Sequence, residues 1–284
     1  MVLELLISPV KAERKPWELF FIGLVYSSIS IILSMYIFKD FVGIVMVFLT
    51  TLAVVYLVQR MLRIEEGKDQ PIRSELNILK DHGKALSVFM FLFFGFVVSF
   101  SFWYIVLPID LSHQIFGIQE KTIQCINSAG VEGCVSGTGA AFSKIFFNNI
   151  KVLLFTLTFA FFYGAGAVFI LAWNAAVVGT AVGIFVRNSI STTASSLGIS
   201  SVATYFGVYS TGILRYMTHG TFEILAYFMA ALAGGIISIA VIKHDFKSQE
   251  FRKVLFDSVD IIVLSLGLLF LAAIIEVFIT PLIF

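Results

Sequence analysis

The stretch ALSVFMFLFFGFVVSFSFWYIVLP, residues 85–108, decides the class of this protein, because it contains no charged side chain. An α-helix rises about 1.5 Å per residue, so about 20 apolar residues cross the roughly 30 Å hydrocarbon core of a bilayer. Five further stretches have or approach this length and composition: 17–38, 41–59, 150–173, 220–242 and 257–284. The sequence therefore predicts an all-α, polytopic transmembrane bundle.

The composition of the whole chain agrees with this class. Of the 284 residues, 59% are hydrophobic and only 13% are charged, whereas an ordinary soluble domain is about 25% charged. These values exclude a soluble enzyme and a disordered chain. The net charge is +1 and the basic residues are scattered, so there is no basic patch for nucleic acid. The first expected partner is the lipid bilayer.

The distribution of Lys and Arg predicts the orientation, because basic residues concentrate on the cytoplasmic side of a membrane. Most of them fall in the N-terminal segment, in the loop 59–84 and in the loop 243–256. If these three segments are cytoplasmic, the stretch 174–219 must make one net crossing. We therefore predict seven crossings in the cell membrane, with a cytoplasmic N-terminus and an extracytoplasmic C-terminus.

The stretch AAVVGTAVGIFV, residues 175–186, is apolar but has only 12 residues. At about 1.5 Å per residue it is too short to cross the core. We predict a short or re-entrant helix here, which either crosses alone or makes half a crossing that 199–217 completes. The Ser- and Thr-rich residues 189–196 are expected to form the break between the two pieces, or an exposed loop.

The domain organisation follows from these stretches. Residues 1–84 form an N-terminal transmembrane hairpin with a cytoplasmic loop, and residues 85–284 form the main membrane domain with an outer loop, 108–149. The two cysteines of the chain, Cys125 and Cys134, both lie in this outer loop. In an oxidising exterior a disulfide is the favoured interpretation. Free thiols and a metal pair are the alternatives, although no nearby His or Asp supports a metal.

Three ionisable residues stand out in or beside the predicted spans, because an ionisable group costs about 2.5–3.5 kcal/mol at the bilayer centre. His219 and Glu223 are four residues apart and share one helical face. The predicted topology brings both of them and Glu276 to the same depth in the outer half of the bilayer. Asn149 is expected slightly above that depth, and Thr280 shares a helical face with Glu276. These five residues are predicted to form a polar intramembrane cluster.

Stripes of small residues predict which helix faces pack together, because small side chains let helices approach closely. Ala226, Ala230 and Gly234 repeat every four residues after Glu223, and Gly179 and Gly183 give the predicted short helix a similar stripe. We expect these stripes to turn the acids into the bundle. They also suit self-association into a homodimer.

The polar cluster has three interpretations. Its side chains can join helices structurally by hydrogen bonds, and two acids at one site repel each other when both are ionised. They can form a transport or proton pathway. His219, Glu223 and Glu276 can instead hold a metal such as zinc in a hydrolytic site, although the sequence lacks the HExxH pattern of zinc proteases. His82, His113 and His244 are expected to be solvated in loops.

Three segments carry a resemblance to a known family. FFNNIKVLLFTLTFAFFYGAGAVFILAWNAAVVG (146–179), THGTFEILAYFMAALAGG (218–235) and AAIIEVFITP (272–281) resemble, in the same order, motifs of the stage II sporulation protein M family. The resemblance covers about residues 85–284, and Thr218 stands where family members commonly have Pro. The predicted hairpin 17–59 precedes the part of the chain that the resemblance covers and has no counterpart in the family motifs. The positions that match are Asn149, Gly164, Gly166, Asn174, Gly179, His219, Gly220, Glu223, Glu276, Thr280 and Pro281.

The resemblance implies a function as well as a fold. In spore-forming bacteria the family member belongs to an engulfment complex and anchors peptidoglycan-degrading partners in the membrane, while relatives occur in organisms that form no spores. Gly164 and Gly166 are then expected to be helix-packing positions. We expect a non-enzymatic scaffold or assembly factor without a cofactor, which binds other membrane or cell-envelope proteins. The alternatives are a transporter of a small solute, ion or lipid that uses the Glu pair, and an intramembrane metallohydrolase.

Overall fold

The computed structural model describes residues 9–38, 41–66, 75–128, 138–163, 166–197, 202–243 and 248–284. Within these ranges the chain is helical and contains no strand. Seven of the helices are long and apolar enough to cross a membrane. This confirms the prediction of an all-α, polytopic membrane protein.

The helices follow one another with short connections. In chain order they are α1 (Pro9–Arg14), α2 (Glu18–Ile37), α3 (Val42–Glu66), α4 (Glu75–Val106), α5 (Ile109–Ser128), α6 (Thr138–Tyr163), α7 (Ala167–Leu197), α8 (Val202–Lys243) and α9 (Gln249–Ile274), followed by a π-helix (Ile275–Ile279) and α10 (Thr280–Ile283). The candidate spans are α2, α3, α4, α6, α7, α8 and the segment from α9 to α10.

The predicted short or re-entrant helix at 175–186 is wrong, because these residues lie inside the continuous helix α7. Asn174 also lies inside α7, and its side-chain amide donates a hydrogen bond to the Ile170 carbonyl oxygen, 2.8 Å away within the helix. The connection lies earlier, between the end of α6 at Tyr163 and the start of α7 at Ala167. Gly164 lies outside the described residues.

The predicted break at 189–196 is also wrong, since α7 continues through these residues to Leu197. Ser and Thr cost only a few tenths of a kcal/mol each in a helix interior, so a run of them does not stop a helix that neighbouring segments support. The following crossing is one helix as well, because α8 joins 202–217 and 220–242 without interruption. The number of crossings stays at seven, with different boundaries.

The predicted outer loop 108–149 is largely helical. Helix α5 begins directly after Pro108, and α6 begins at Thr138. The α5 residues Ser112, Ile115, Phe116 and Gln119 are buried, and their spacing marks one face of an amphipathic helix. The predicted disulfide between Cys125 and Cys134 lies outside the described residues.

The bundle packs closely around α4. An added Cβ at Gly95 of α4 would lie 2.2 Å from the Phe20 carbonyl oxygen of α2, so the backbones of the two helices are in direct contact. On another side of α4, a Cβ at Gly183 of α7 would lie 2.5 Å from the Tyr104 ring. Gly179 approaches Phe100 in the same way, at 2.8 Å. The Gly179 and Gly183 stripe therefore faces α4.

His82 is buried, so the prediction that it is solvated is wrong. Helices α3 and α4 both extend beyond their apolar stretches into the predicted loop 59–84, which brings Glu65 against His82. The His82 Nδ1 atom lies 2.5 Å from the Glu65 Oε2 atom, and the two residues are 3% and 0% exposed. His113 is exposed as predicted and bonds to Glu120. His244 lies outside the described residues.

Candidate functional site

The structure brings the five predicted polar residues together where three segments meet. Asn149 comes from α6, His219 and Glu223 come from α8, and Glu276 and Thr280 come from the end of the last membrane segment. Because His219 and Glu223 are separated by one helical turn, both face the same neighbours. Ala226 and Ala230 of the small-residue stripe are fully buried one and two turns further along α8.

Glu223 is the centre of this polar cluster. Its Oε1 atom accepts a hydrogen bond from the Asn149 side-chain amide. The carboxyl group of Glu276 lies close enough to Glu223 to interact with it electrostatically. Two acids this close repel each other when both are ionised.

His219 connects the acids to the last helix. Its Nδ1 atom lies 3.4 Å from the Thr280 Oγ1 atom, and its Nε2 atom lies 4.0 Å from the Glu276 Oε1 atom. Arg215, one turn before His219 on α8, is close enough to interact with it electrostatically. The guanidinium carbon of Arg215 also lies 5.6 Å from the centre of the Phe185 ring of α7.

A π-helical turn positions Glu276 and Thr280. The backbone N–H and the hydroxyl group of Thr280 both donate to the carbonyl oxygen of Ile275, five residues earlier. Pro281 explains this wide turn, because proline has no N–H and its ring clashes with the carbonyl oxygen four residues before it. Single π-helical turns within α-helices occur frequently at functional sites.

The polar cluster is open on one side. The Asn149 and Thr280 residues are buried, whereas the side chains of His219 and Glu276 are 14% and 30% exposed. The residues that follow Glu276, including Phe278 and Ile279, are exposed and apolar. Part of a carboxyl group thus lies on an otherwise apolar surface of a membrane segment.

Tyr227 is a neighbour of the site that the sequence analysis missed. It lies one turn after Glu223 on α8, is 3% exposed, and is close enough to interact electrostatically with both Glu223 and Glu276. The only sequence feature that could have identified it is its four-residue spacing from Glu223, which puts both side chains on one helical face. In an apolar span, however, a lone tyrosine resembles any other core aromatic residue.

The metal interpretation of His219, Glu223 and Glu276 finds no geometric support in the part of the chain that the structure describes. No three His, Cys, Asp or Glu side chains there are grouped so that they could hold a metal ion. A zinc ion requires nitrogen and oxygen ligands at about 2.0–2.2 Å. The arrangement of the polar cluster is instead that of two neighbouring acids, one of them hydrogen-bonded to Asn149, with a histidine beside them.

Comparison with known proteins agrees with the motifs. Residues 87–281, more than half of the chain, match the family described as Stage II sporulation protein M. The match contains the whole polar cluster and begins after the hairpin formed by α2 and α3. No curated protein and no solved structure matches the chain. The family match confirms the resemblance, and this protein is a membrane-spanning member of the stage II sporulation protein M family.

Proposed function

We propose that this protein is a non-enzymatic membrane scaffold, which holds other membrane or cell-envelope proteins through the open side of the polar cluster. The observation that supports the proposal is the partly exposed carboxyl group of Glu276 on an apolar helix surface. Hydrocarbon offers no hydrogen-bond donor to the exposed part of this carboxyl group, and an unsatisfied polar group there costs several kcal/mol. A transmembrane helix from a partner that offers a hydrogen-bond donor would remove this cost.

The close packing of the bundle also favours a scaffold over a machine with large internal movements. An added Cβ at Gly234 of α8 would lie 2.7 Å from the Leu157 carbonyl oxygen of α6. Together with the contacts of Gly95 and Gly183, this holds five helices at short separations.

The proposed orientation is a cytoplasmic N-terminus and an extracytoplasmic C-terminus. Its support is that basic residues gather at one end of the helices: Lys11, Arg14 and Lys15 before α2, Arg60 and Arg63 near the end of α3, Lys84 in the first part of α4, and Arg252 and Lys253 at the start of α9. The positive-inside rule assigns that end to the cytoplasm.

A transporter is the second candidate function, and the acid pair is the observation that favours it. Adjacent acids such as Glu223 and Glu276, with His219 beside them in membrane spans, are typical of the proton relays of pumps and transporters. Reconstitution into proteoliposomes tests it. Proton flux that depends on Glu223, measured with a pH-sensitive dye in the lumen, would favour transport over the scaffold.

A photo-crosslinking experiment tests the scaffold in native membranes. The photoreactive residue p-benzoylphenylalanine replaces Phe278, beside Glu276, or Val263, which is also exposed but lies about four turns earlier. We expect a discrete protein adduct at position 278 and mainly lipid adducts at position 263. Glu276→Leu should abolish the adduct at 278.

Asp260→Asn is the matched control, because Asp260 is an exposed acid on the same helix. It should leave the adduct at position 278 unchanged. Equal adducts at 278 and 263, or an adduct at 278 that survives Glu276→Leu, would contradict the proposed scaffold surface. Adducts to a second copy of this chain would identify the partner as a homodimer subunit.

A further inference from the structure

A second site lies away from the polar cluster, between α5 and the first turn of α3. An open cavity of about 400 Å³ is lined by Val42 and Gly43 of α3 and by one side of α5. Helix α5 is held there by its buried face: the Gln119 side-chain amide donates a hydrogen bond to the Gly43 carbonyl oxygen at 3.0 Å. We call this cavity the α5 groove.

The wall that α5 contributes to the groove is polar. Gln114, Gly117, Lys121 and Gln124 follow each other at three- and four-residue intervals, so they lie on one face of the helix. All four line the groove. Nothing lies within 4 Å of the position that a Cβ atom of Gly117 would occupy, which leaves the middle of this wall open.

The acidic residue of the groove is already engaged. The Tyr104 hydroxyl group donates to the Glu120 Oε1 atom at 2.8 Å, and the His113 Nδ1 atom lies 2.9 Å from both carboxylate oxygens. These contacts hold Glu120 toward α4 and His113. Lys121 is exposed, so its ammonium group is the charge that the groove offers to a ligand.

An apolar surface continues from the groove along α3. Phe41 and Ile44, on either side of the groove residues Val42 and Gly43, are exposed, and α3 is a candidate membrane span. A polar groove with a cation, next to an exposed apolar helix at the end of a bundle, matches the two parts of a membrane lipid. A soluble anion would use only the groove.

We propose that the α5 groove binds the phosphate headgroup of a membrane lipid. The Lys121 ammonium group contacts the phosphate oxygens, and the acyl chains lie along Phe41 and Ile44. A lysine near a membrane surface contributes about 1 kcal/mol to the binding of an anionic lipid, which is about a fivefold change in affinity. The site is independent of the proposed scaffold function.

The test uses the full-length protein in detergent micelles, with binding of phosphatidylglycerol measured by native mass spectrometry. Lys121→Gln should weaken binding about fivefold. Lys151→Gln, which removes an exposed lysine of α6, should change it little. Gly117→Leu should block the groove, and it is sterically tolerated because the space around its Cβ position is empty. The thermal unfolding temperature of each variant shows that it is folded.

Three results would overturn the proposal. The first is equal binding of phosphatidylglycerol and of a diacylglycerol that lacks the phosphate, because the headgroup would then contribute nothing. The second is displacement of the lipid from the groove by millimolar inorganic phosphate, since the site would then recognise a free anion. The third is loss of binding in Lys151→Gln to the same degree as in Lys121→Gln.

Discussion

Replacing Gly234 by alanine tests the close contact between α6 and α8. The same packing of these two helices places Asn149 beside Glu223. An added Cβ at Gly234 would lie 2.7 Å from the Leu157 carbonyl oxygen and 2.9 Å from the Ala160 Cβ atom. Ordinary contacts begin near 3.4 Å, so the two helices must separate by about 0.7 Å. The first obstacle is a backbone atom, which cannot move away alone.

The size of the effect follows from two opposing contributions. Alanine favours a helix over glycine by about 1 kcal/mol, whereas overpacking costs about 1–3 kcal/mol. Gly267→Ala is the matched control, because Gly267 lies in the helix α9 with nothing within 4 Å of its Cβ position. The difference between the two variants removes the helix-propensity contribution. We expect Gly234→Ala to be less stable than Gly267→Ala by about 1–3 kcal/mol.

The measurement is the free energy of unfolding in mixed micelles, titrated with sodium dodecyl sulfate. Gly267→Ala should unfold at the same or a higher detergent fraction than the wild-type protein, and Gly234→Ala at a lower one. If both variants are stabilised equally, α6 and α8 are not in backbone contact at this position. The geometry of the polar cluster would then have to be supported in some other way.

Three further outcomes are expected. Asn149→Leu removes the amide that donates to Glu223 and should destabilise the protein by about 1–3 kcal/mol, which the same unfolding titration measures. His82→Leu should cost about 3–5 kcal/mol because the Glu65 carboxyl group stays buried without its histidine, and the double variant with Glu65→Leu should recover most of that loss; no recovery would show that the two residues are not coupled. Reduction should change the electrophoretic mobility of a thiol-labelled sample if Cys125 and Cys134 form a disulfide, and an unchanged band would exclude that bond.

The sequence was sufficient to predict the polar cluster because moving a polar side chain into the bilayer costs free energy. Glu223 and Glu276 stand out in apolar spans, and only a limited number of helix faces can bury them. Helical spacing then adds His219 and Thr280. The order of the spans was enough to bring these residues to a similar depth, even though the boundaries of α7 and α8 were predicted incorrectly.

The features that the sequence did not predict depend on tertiary contacts, about which a hydropathy pattern carries no information. The start of α7 was misplaced because the apolar run continues from α6 into α7 without a charged residue. Glu65 and His82 are 17 residues apart, and they meet because α3 and α4 extend past their apolar parts. The π-helical turn depends on Pro281 together with the hydroxyl group of Thr280, and neither residue specifies it alone.

The length of α8 couples the polar cluster to the thickness of the bilayer. With 42 residues the helix is about 63 Å long, roughly twice the thickness of the hydrocarbon core. Such a helix must incline strongly or emerge into the headgroup region, and its inclination then changes with the bilayer. His219 and Glu223 move with this helix, whereas Glu276 belongs to another one. Membranes of different acyl-chain length would therefore change the separation within the acid pair.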